Sequence, residues 1–168
     1  YKLLRDEGLV DDDEPFVSLL SQGMVLKDGA KMSKSKGNTI DPDDIINKYG
    51  ADTIRLFILF AAPPEQNLEW SDSAIEGGYK FLKRFWKLSY LICNSYDVPK
   101  DKDNKILIKH NETIDKVSTD LFKRKSYNTA IAAVMKFFNS LSRSVDEESI
   151  SHESAKICIS TMAKLLYP

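Results

Sequence analysis

The sequence has few of the residues that form crosslinks, membrane spans or broadly charged surfaces. Only two of the 168 residues are cysteines, Cys93 and Cys158, and they lie far apart beside apolar residues. This predicts buried free thiols in a reducing, cytoplasmic compartment rather than a disulfide framework. No apolar run is long enough to cross a bilayer, and no stretch resembles a signal peptide. The formal net charge of −1 excludes a global attraction to nucleic acid, so any such contact must use local basic patches.

Histidine is equally scarce. The two histidines, His110 and His152, both fall in segments that we expect to be helical. We interpret them as surface or helix-end residues rather than catalytic groups. No cluster of His, Cys, Asp or Glu has metal-ligand spacing, so no metal site is predicted.

Apolar periodicity predicts a mainly α protein with a small mixed α/β segment. Asp41 is a favourable N-cap with Pro42 at the first helical position, and Gly50 marks the end of that helix. The other predicted elements are a helix end over 1–10, a strand over 24–26, a buried helix over 51–61, a long helix from about residue 71, a charged linker over 101–105, and amphipathic helices over 105–123, 127–143 and 148–166.

A domain boundary is expected near Trp70. Residues 1–69 would be a mixed segment, and residues 70–168 an antiparallel bundle of about four helices. Trp70, Trp86 and the phenylalanines are predicted to be core residues.

The start of the long helix stays open between two serines. With Ser71 as N-cap, the apolar residues on either side of it, Trp70 and Ile75, would form a hydrophobic staple. With Ser73 as N-cap, Glu76 would complete a capping box.

Three lysines crowd the polar stretch after the predicted strand. Lys31, Lys34 and Lys36 are separated by Met32, Ser33 and Ser35 and followed by Gly37 and Asn38. One interpretation is a solvated basic loop. The other is a flexible anion clamp, because a lysine ammonium on its long stem can follow a phosphate, while hydroxyl and backbone N–H groups add donors.

The order of these residues favours the clamp. Residues 31–35 read KMSKS, which is the second signature of class I aminoacyl-tRNA synthetases, and residues 36–38 resemble its extension in the leucine, isoleucine, valine and methionine branch. The stretch 49–57 also resembles this branch. The resemblance implies a loop that closes over ATP, with Lys34 as the chief catalytic residue and Lys31 assisting. Met32, Ser33 and Ser35 would complete the ATP-binding segment.

Four further stretches, residues 21–26, 62–72, 81–86 and 127–135, resemble the leucine-specific members. This implies leucine, ATP with Mg²⁺ and tRNA(Leu) as substrates of a monomeric cytoplasmic ligase. Only residues 27–30 separate the strand from the lysine loop, so the module inserted there in several bacterial members is missing.

The first class I signature, a His-containing tetrapeptide, does not occur in the sequence. We therefore expect a C-terminal fragment whose missing catalytic half lies upstream in the same polypeptide. The bundle is expected to be truncated after residue 168. The fragment alone is expected to hold no ATP and to have no ligase activity.

Two basic clusters are candidate tRNA contacts. In the long helix, positive side chains fall on one face, opposite the apolar residues Phe81, Phe85, Leu88 and Ile92. The candidates are Lys80, Lys83, Arg84 and Lys87, with a second cluster of Lys123, Arg124 and Lys125. They are interpreted either as RNA-phosphate contacts or as a solvated face with Glu76 paired to Lys80. By resemblance, the bundle is an anticodon-binding domain.

Two alternatives remain. In the first, the chain is a piece of an isoleucine, valine or methionine enzyme, although the stretches 22–24 and 68–70 argue against this. In the second, the chain is a free-standing helical RNA- or protein-binding module.

Overall fold

Seven α-helices and three short strands make up the part of the chain that the computed structural model describes, residues 1–99 and 105–167. The helices are α1 (Lys2–Asp6), α2 (Pro42–Tyr49), α3 (Ala51–Ala61), α4 (Asp72–Asn94), α5 (Lys105–Ser118), α6 (Tyr127–Asp146) and α7 (His152–Leu166). The strands are β1 (Val25–Lys27), β2 (Ala30–Lys31) and β3 (Leu68–Glu69). The predicted mainly α class is confirmed. Residues 101–104 of the predicted charged linker, like Pro168, lie outside the described residues.

The three strands form one small mixed sheet in the order β2-β1-β3. β1 and β2 are an antiparallel hairpin whose two turn residues, Asp28 and Gly29, have φ values of 54° and 72°. Positive φ at both positions is typical of the type I′ turn, whose twist matches that of the strands. β3 pairs with β1 in parallel, with Val25 opposite Leu68. The sheet therefore joins the start of the lysine loop to the segment that leads into α4.

Local capping sets the start of the helices around this sheet. Asp41 caps α2 by accepting a hydrogen bond from the Asp43 N–H at 3.0 Å, as predicted. Ser71 caps α4 by accepting from the Ala74 N–H at 3.2 Å, which decides between the two open alternatives. Glu76 pairs with Lys80 at 2.7 Å.

The core of the bundle is formed by α4, α5, α6 and α7. Its most deeply buried residues include Ile92, Phe138, Leu141, Ile150 and Met162. Leu56 of α3 joins this same core, whereas Ile54 and Phe57 of α3 form a smaller cluster with Ile75, Leu68 and Trp70. α3 therefore packs against the sheet on one side and against the bundle on the other.

Several predictions of burial were wrong. Trp86 is 74% exposed and Cys93 is also exposed, whereas Cys158 is fully buried. Trp86, Tyr90 and Cys93 follow a spacing of four and three residues along α4, so they share the outward face. Phe16, Phe60 and Phe122 are exposed as well.

The two histidines have different environments. His110 is 8% exposed and its ring centroid lies 5.8 Å from that of Phe137, so the surface interpretation was wrong. It shares the inner face of α5 with Ile106 and Val117. His152 begins α7 and its Nδ1 forms a hydrogen bond with the Tyr96 carbonyl, which fits the helix-end interpretation.

The amphipathic stretch predicted over 105–123 is not one uniform helix. α5 ends at Ser118, and a π-helical turn follows over Thr119–Arg124, with Lys125 at a φ of 55°. The helices in residues 1–99 and 105–167 include none that is both long enough and apolar enough to cross a membrane.

Candidate functional site

The lysine loop, residues 31–38, is more ordered than the predicted aperiodic stretch. Lys31 is the last residue of β2, and Ser33 is extended, with φ −154° and ψ 149°. A 3-10 turn then spans Lys34–Lys36, and Gly37 ends it with a φ of 66°. Gly37 suits this position because a left-handed conformation carries no Cβ penalty for glycine.

The two ends of the loop are joined by one side chain. The Ser33 N–H donates to Oδ1 of Asn38 at 2.9 Å, and Nδ2 of Asn38 donates to the Lys31 carbonyl at 3.3 Å. On the other side of the strand, the Met32 N–H donates to the Val25 carbonyl at 3.1 Å, so the hairpin ladder extends one residue beyond β2. The hydroxyls of Ser33 and Ser35 lie 3.2 Å apart.

The three lysines of this loop are available to an anion. Lys31, Lys34 and Lys36 are exposed, and none of them forms an ion pair or side-chain hydrogen bond with any residue that the structure describes. Three unpaired ammonium groups beside hydroxyl and backbone donors are a chemically suitable set for a polyphosphate. The loop could therefore hold the phosphates of a nucleotide.

The strand before the loop is tied to the segment before α4. The Gly23 N–H donates to the Pro64 carbonyl at 2.8 Å, and the Met24 N–H donates to Oδ1 of Asn67 at 2.9 Å. In the hairpin turn, the Gly29 N–H donates to a carboxylate oxygen of Glu69 at 3.1 Å. These bonds hold the base of the lysine loop against the sheet.

The four basic residues of α4 are not equivalent. Lys80 is paired with Glu76, and the ammonium of Lys83 lies 5.0 Å from the ring centroid of Tyr79. Arg84 donates to Oδ1 of Asn139 at 3.1 Å, and its guanidinium lies over the Phe138 ring at 5.1 Å. Lys87 is exposed and, within the described part of the chain, has no ion pair or side-chain hydrogen bond.

The second basic cluster surrounds a carboxylate that the sequence analysis missed. Asp120 is fully buried and accepts hydrogen bonds from Lys116 at 2.6 and 2.8 Å and from Thr129 at 2.6 Å. All three basic residues of this cluster are exposed, and the guanidinium of Arg124 lies 3.7 Å from the carboxylate of Asp120. Lys123 and Lys125 form no ion pair or side-chain hydrogen bond within the described residues. Burial raises the pKa of Asp120, but the hydrogen bonds from Lys116 and Thr129 outweigh it and hold the pKa below its usual range. In the sequence, the one available signal of this ion pair was the spacing of four residues between Lys116 and Asp120.

Comparison with known proteins places this chain in a family. Residues 8–71, which include the whole lysine loop, match the model for tRNA synthetases class I (I, L, M and V). The leucine--tRNA ligase of Saccharophagus degradans is 54% identical over 89% of this chain, and that of Thioalkalivibrio sulfidiphilus is 52% identical over all of it. The chain belongs to the class I aminoacyl-tRNA synthetases. It spans about a fifth of these relatives, 19% and 21% of their respective lengths.

A solved structure extends the match to the bundle of this synthetase segment. The LeuRS of Agrobacterium radiobacter K84, in its ternary complex with tRNA and LeuAMS, superposes with a TM-score of 0.81 at 32% identity. The alignment covers 98% of this chain and 22% of that one. The likeness therefore includes both the sheet that carries the lysine loop and helices α4–α7.

Proposed function

We propose that this synthetase segment belongs to a leucine–tRNA ligase and supplies the lysine loop for ATP-dependent activation of leucine. The observation that carries the proposal is the KMSKS loop itself, with Lys31, Lys34 and Lys36 unpaired among the described residues. It is supported by about 50% identity to curated leucine--tRNA ligases.

In this reaction, the leucine carboxylate attacks the α-phosphate of bound ATP, and pyrophosphate is the leaving group. Lys34, assisted by Lys31, stabilises the negative charge that develops on the leaving oxygens. Such stabilisation accelerates the step because it is stronger in the transition state than in the ground state. Met32, Ser33 and Ser35 shape the loop and line the ATP site, and Mg²⁺ arrives with the nucleotide.

For the transfer step, residues 70–168 act as the anticodon-binding-type bundle and residues 1–69 as the end of the catalytic domain. The bundle contacts tRNA(Leu) through phosphate groups, which require positive charge rather than base recognition. Lys87, Lys123 and Lys125 are the best placed of the candidate residues. They are exposed and, unlike the other four candidates, they have no ion pair, side-chain hydrogen bond or ring contact among the described residues. The complete enzyme is proposed to act as a cytoplasmic monomer.

The first prediction concerns Lys34. Lys34→Ala in the complete ligase should lower kcat for leucine-dependent ATP–pyrophosphate exchange by roughly 10²–10³, the usual effect of removing one charge-stabilising group. Lys156→Ala, which changes an exposed lysine on α7, is the matched control and should leave exchange unchanged.

The same assay with all twenty amino acids tests the substrate. Exchange stimulated by isoleucine, valine or methionine instead of leucine would keep the family and change the substrate. If no amino acid stimulates exchange, the alternative of a helical RNA- or protein-binding module is favoured.

A further inference from the structure

We infer that Asn38 is a positioning residue for the lysine loop, and that its side-chain amide holds Lys34 in place for the activation step. This rests on the proposed function of the loop. The inference starts from the two hydrogen bonds that join Asn38 to Ser33 and to Lys31, across five and seven residues of the chain.

The two bonds have the pattern of strand pairing. The Lys31 carbonyl and the Ser33 N–H flank Met32. On an extended chain these two groups point to the same edge of the strand, where a neighbouring strand would pair with them. A primary amide carries one acceptor oxygen and a donor nitrogen, as a peptide group does. The Asn38 side chain therefore occupies the open edge of the hairpin and substitutes for a strand there.

β2 is an edge strand, because β1 lies in the middle of the sheet. Its inner side is bonded to β1, through Met32 and Val25 among others, and its outer side is bonded to Asn38. The 3-10 turn Lys34–Lys36 is thus closed into a small ring whose base is the sheet. The direction in which Lys34 leaves the sheet depends on this closure.

The chemistry of Asn38 is specific for this role. Its amide is half-buried, whereas the lysines of the loop are exposed and unpaired within the described part of the chain. Among the described residues, the Asn38 side chain forms hydrogen bonds only with backbone groups, so it acts through the loop and not on the substrate. An Asn38→Ala variant keeps all three ammonium groups but frees the turn that carries Lys34.

The direct test is amide hydrogen exchange in the complete ligase. Asn38→Ala should accelerate exchange at Ser33 by about tenfold, since the hydrogen bond to this N–H is lost. Exchange at Trp70, whose N–H donates to the Leu26 carbonyl at 2.8 Å, should be unchanged if the sheet stays folded. Unchanged exchange at Ser33 would overturn the inference.

The functional test uses the complete ligase. Asn38→Ala should lower kcat for leucine-dependent ATP–pyrophosphate exchange about tenfold per active site, with the KM for leucine unchanged, because the lost contact orients a transition-state group. Asn47→Ala is the matched control, since Asn47 is exposed on α2 and its side chain has no hydrogen bond within the described residues.

The outcomes separate this inference from the proposed function. If the wild-type ligase shows leucine-dependent exchange and Asn38→Ala has the same kcat, the positioning role is overturned and the proposed function remains intact. A raised KM for leucine with unchanged kcat would also overturn it. Absence of leucine-dependent exchange in the wild-type ligase would contradict the proposed function itself, while the hydrogen-exchange result would still report on the closure of the loop.

Discussion

At the scale of single residues, Asp120 shows how one buried charge organises a helix junction. Asp120 lies in the π-helical turn Thr119–Arg124, and its carboxylate is hydrogen-bonded to Lys116 on α5 and to Thr129 on α6. A buried carboxylate requires such partners, because an unpaired one would lose its hydration without compensation. Asp120 therefore links α5 to α6 at the basic cluster.

Asp120 should make stability depend on pH. A carboxyl group whose native pKa is depressed contributes stability above its unfolded pKa, roughly 3.9, and loses it as the pH falls through the native value. Asp120→Asn should lower the free energy of unfolding by about 1–3 kcal/mol at pH 7, and the difference from wild type should shrink below about pH 4.

Urea unfolding at pH 7 and pH 3 measures this difference. Asp115→Asn is the control, since Asp115 is exposed on α5, the helix that precedes this turn. A difference of equal size at both pH values would show that the charge of Asp120 does not contribute.

The two thiols also differ at this scale. Burial raises the pKa of the Cys158 thiol to about 12, so its reactive thiolate is scarce near neutral pH. Cys93 is exposed on α4. The expectation of two buried thiols was right for one residue because only one lies on an inward helix face.

At the scale of secondary-structure elements, the strands matter more than their length suggests. β1 and β3 pair over only two residue pairs, Val25 with Leu68 and Leu26 with Glu69. They nevertheless connect the lysine loop to the N-terminus of α4. Gly23 makes this possible, because a Cβ there would lie 2.0 Å from the Gln66 carbonyl oxygen. Since the clashing atoms belong to the backbone, a side-chain rotation cannot relieve the overlap.

Gly23→Ala should therefore destabilise the chain by about 1–3 kcal/mol, in the range of overpacked sites. The amides of Leu68 and Trp70, which donate to the Met24 and Leu26 carbonyls, should lose protection from hydrogen exchange first. Gly77→Ala on α4 is the control: a Cβ there meets nothing within 4 Å, and alanine favours a helix. Equal stability of the two variants would refute the close-approach argument.

At the scale of the whole molecule, α3 connects the segment that carries the small sheet with the bundle. Leu56 lies in the bundle core, whereas Ile54 and Phe57 lie in the smaller core with Trp70. The Phe57 and Trp70 rings meet edge to face with centroids 5.4 Å apart. The two cores are thus joined through α3 and also through α4, which places Ile75 in the smaller core and Phe81 in the bundle core. Both helices connect the bundle to the sheet.

The basic face of α4 should divide into binding and structural residues. Lys87→Ala in the complete ligase should weaken tRNA(Leu) binding and reduce the slope of log K against log salt by about 0.7–0.9, the value for one phosphate contact. Arg84→Ala should instead lower the melting temperature, because Arg84 is bonded to Asn139 and lies over Phe138. Filter binding across a salt series measures the slope for each variant, and thermal unfolding measures its melting temperature. An unchanged slope for Lys87→Ala would mean a solvated face.

The sequence alone determined what depends on neighbours along the chain. The KMSKS order, the Asp41 cap, the α3 boundaries and the apolar stripes of α5 and α6 are local patterns, and local hydrogen bonds or helical periodicity produce them directly. The class I family and the mainly α fold followed from these patterns.

Tertiary structure decided what depends on packing between distant residues. Arg84 meets Asn139 across 55 positions, and Met24 meets Asn67 across 43. The burial of His110 and Asp120 and the exposure of Trp86 depend on which face each helix turns to its neighbours. Periodicity indicates that a helix has an apolar face, but only the assembled bundle determines how wide that face is and which polar groups it encloses.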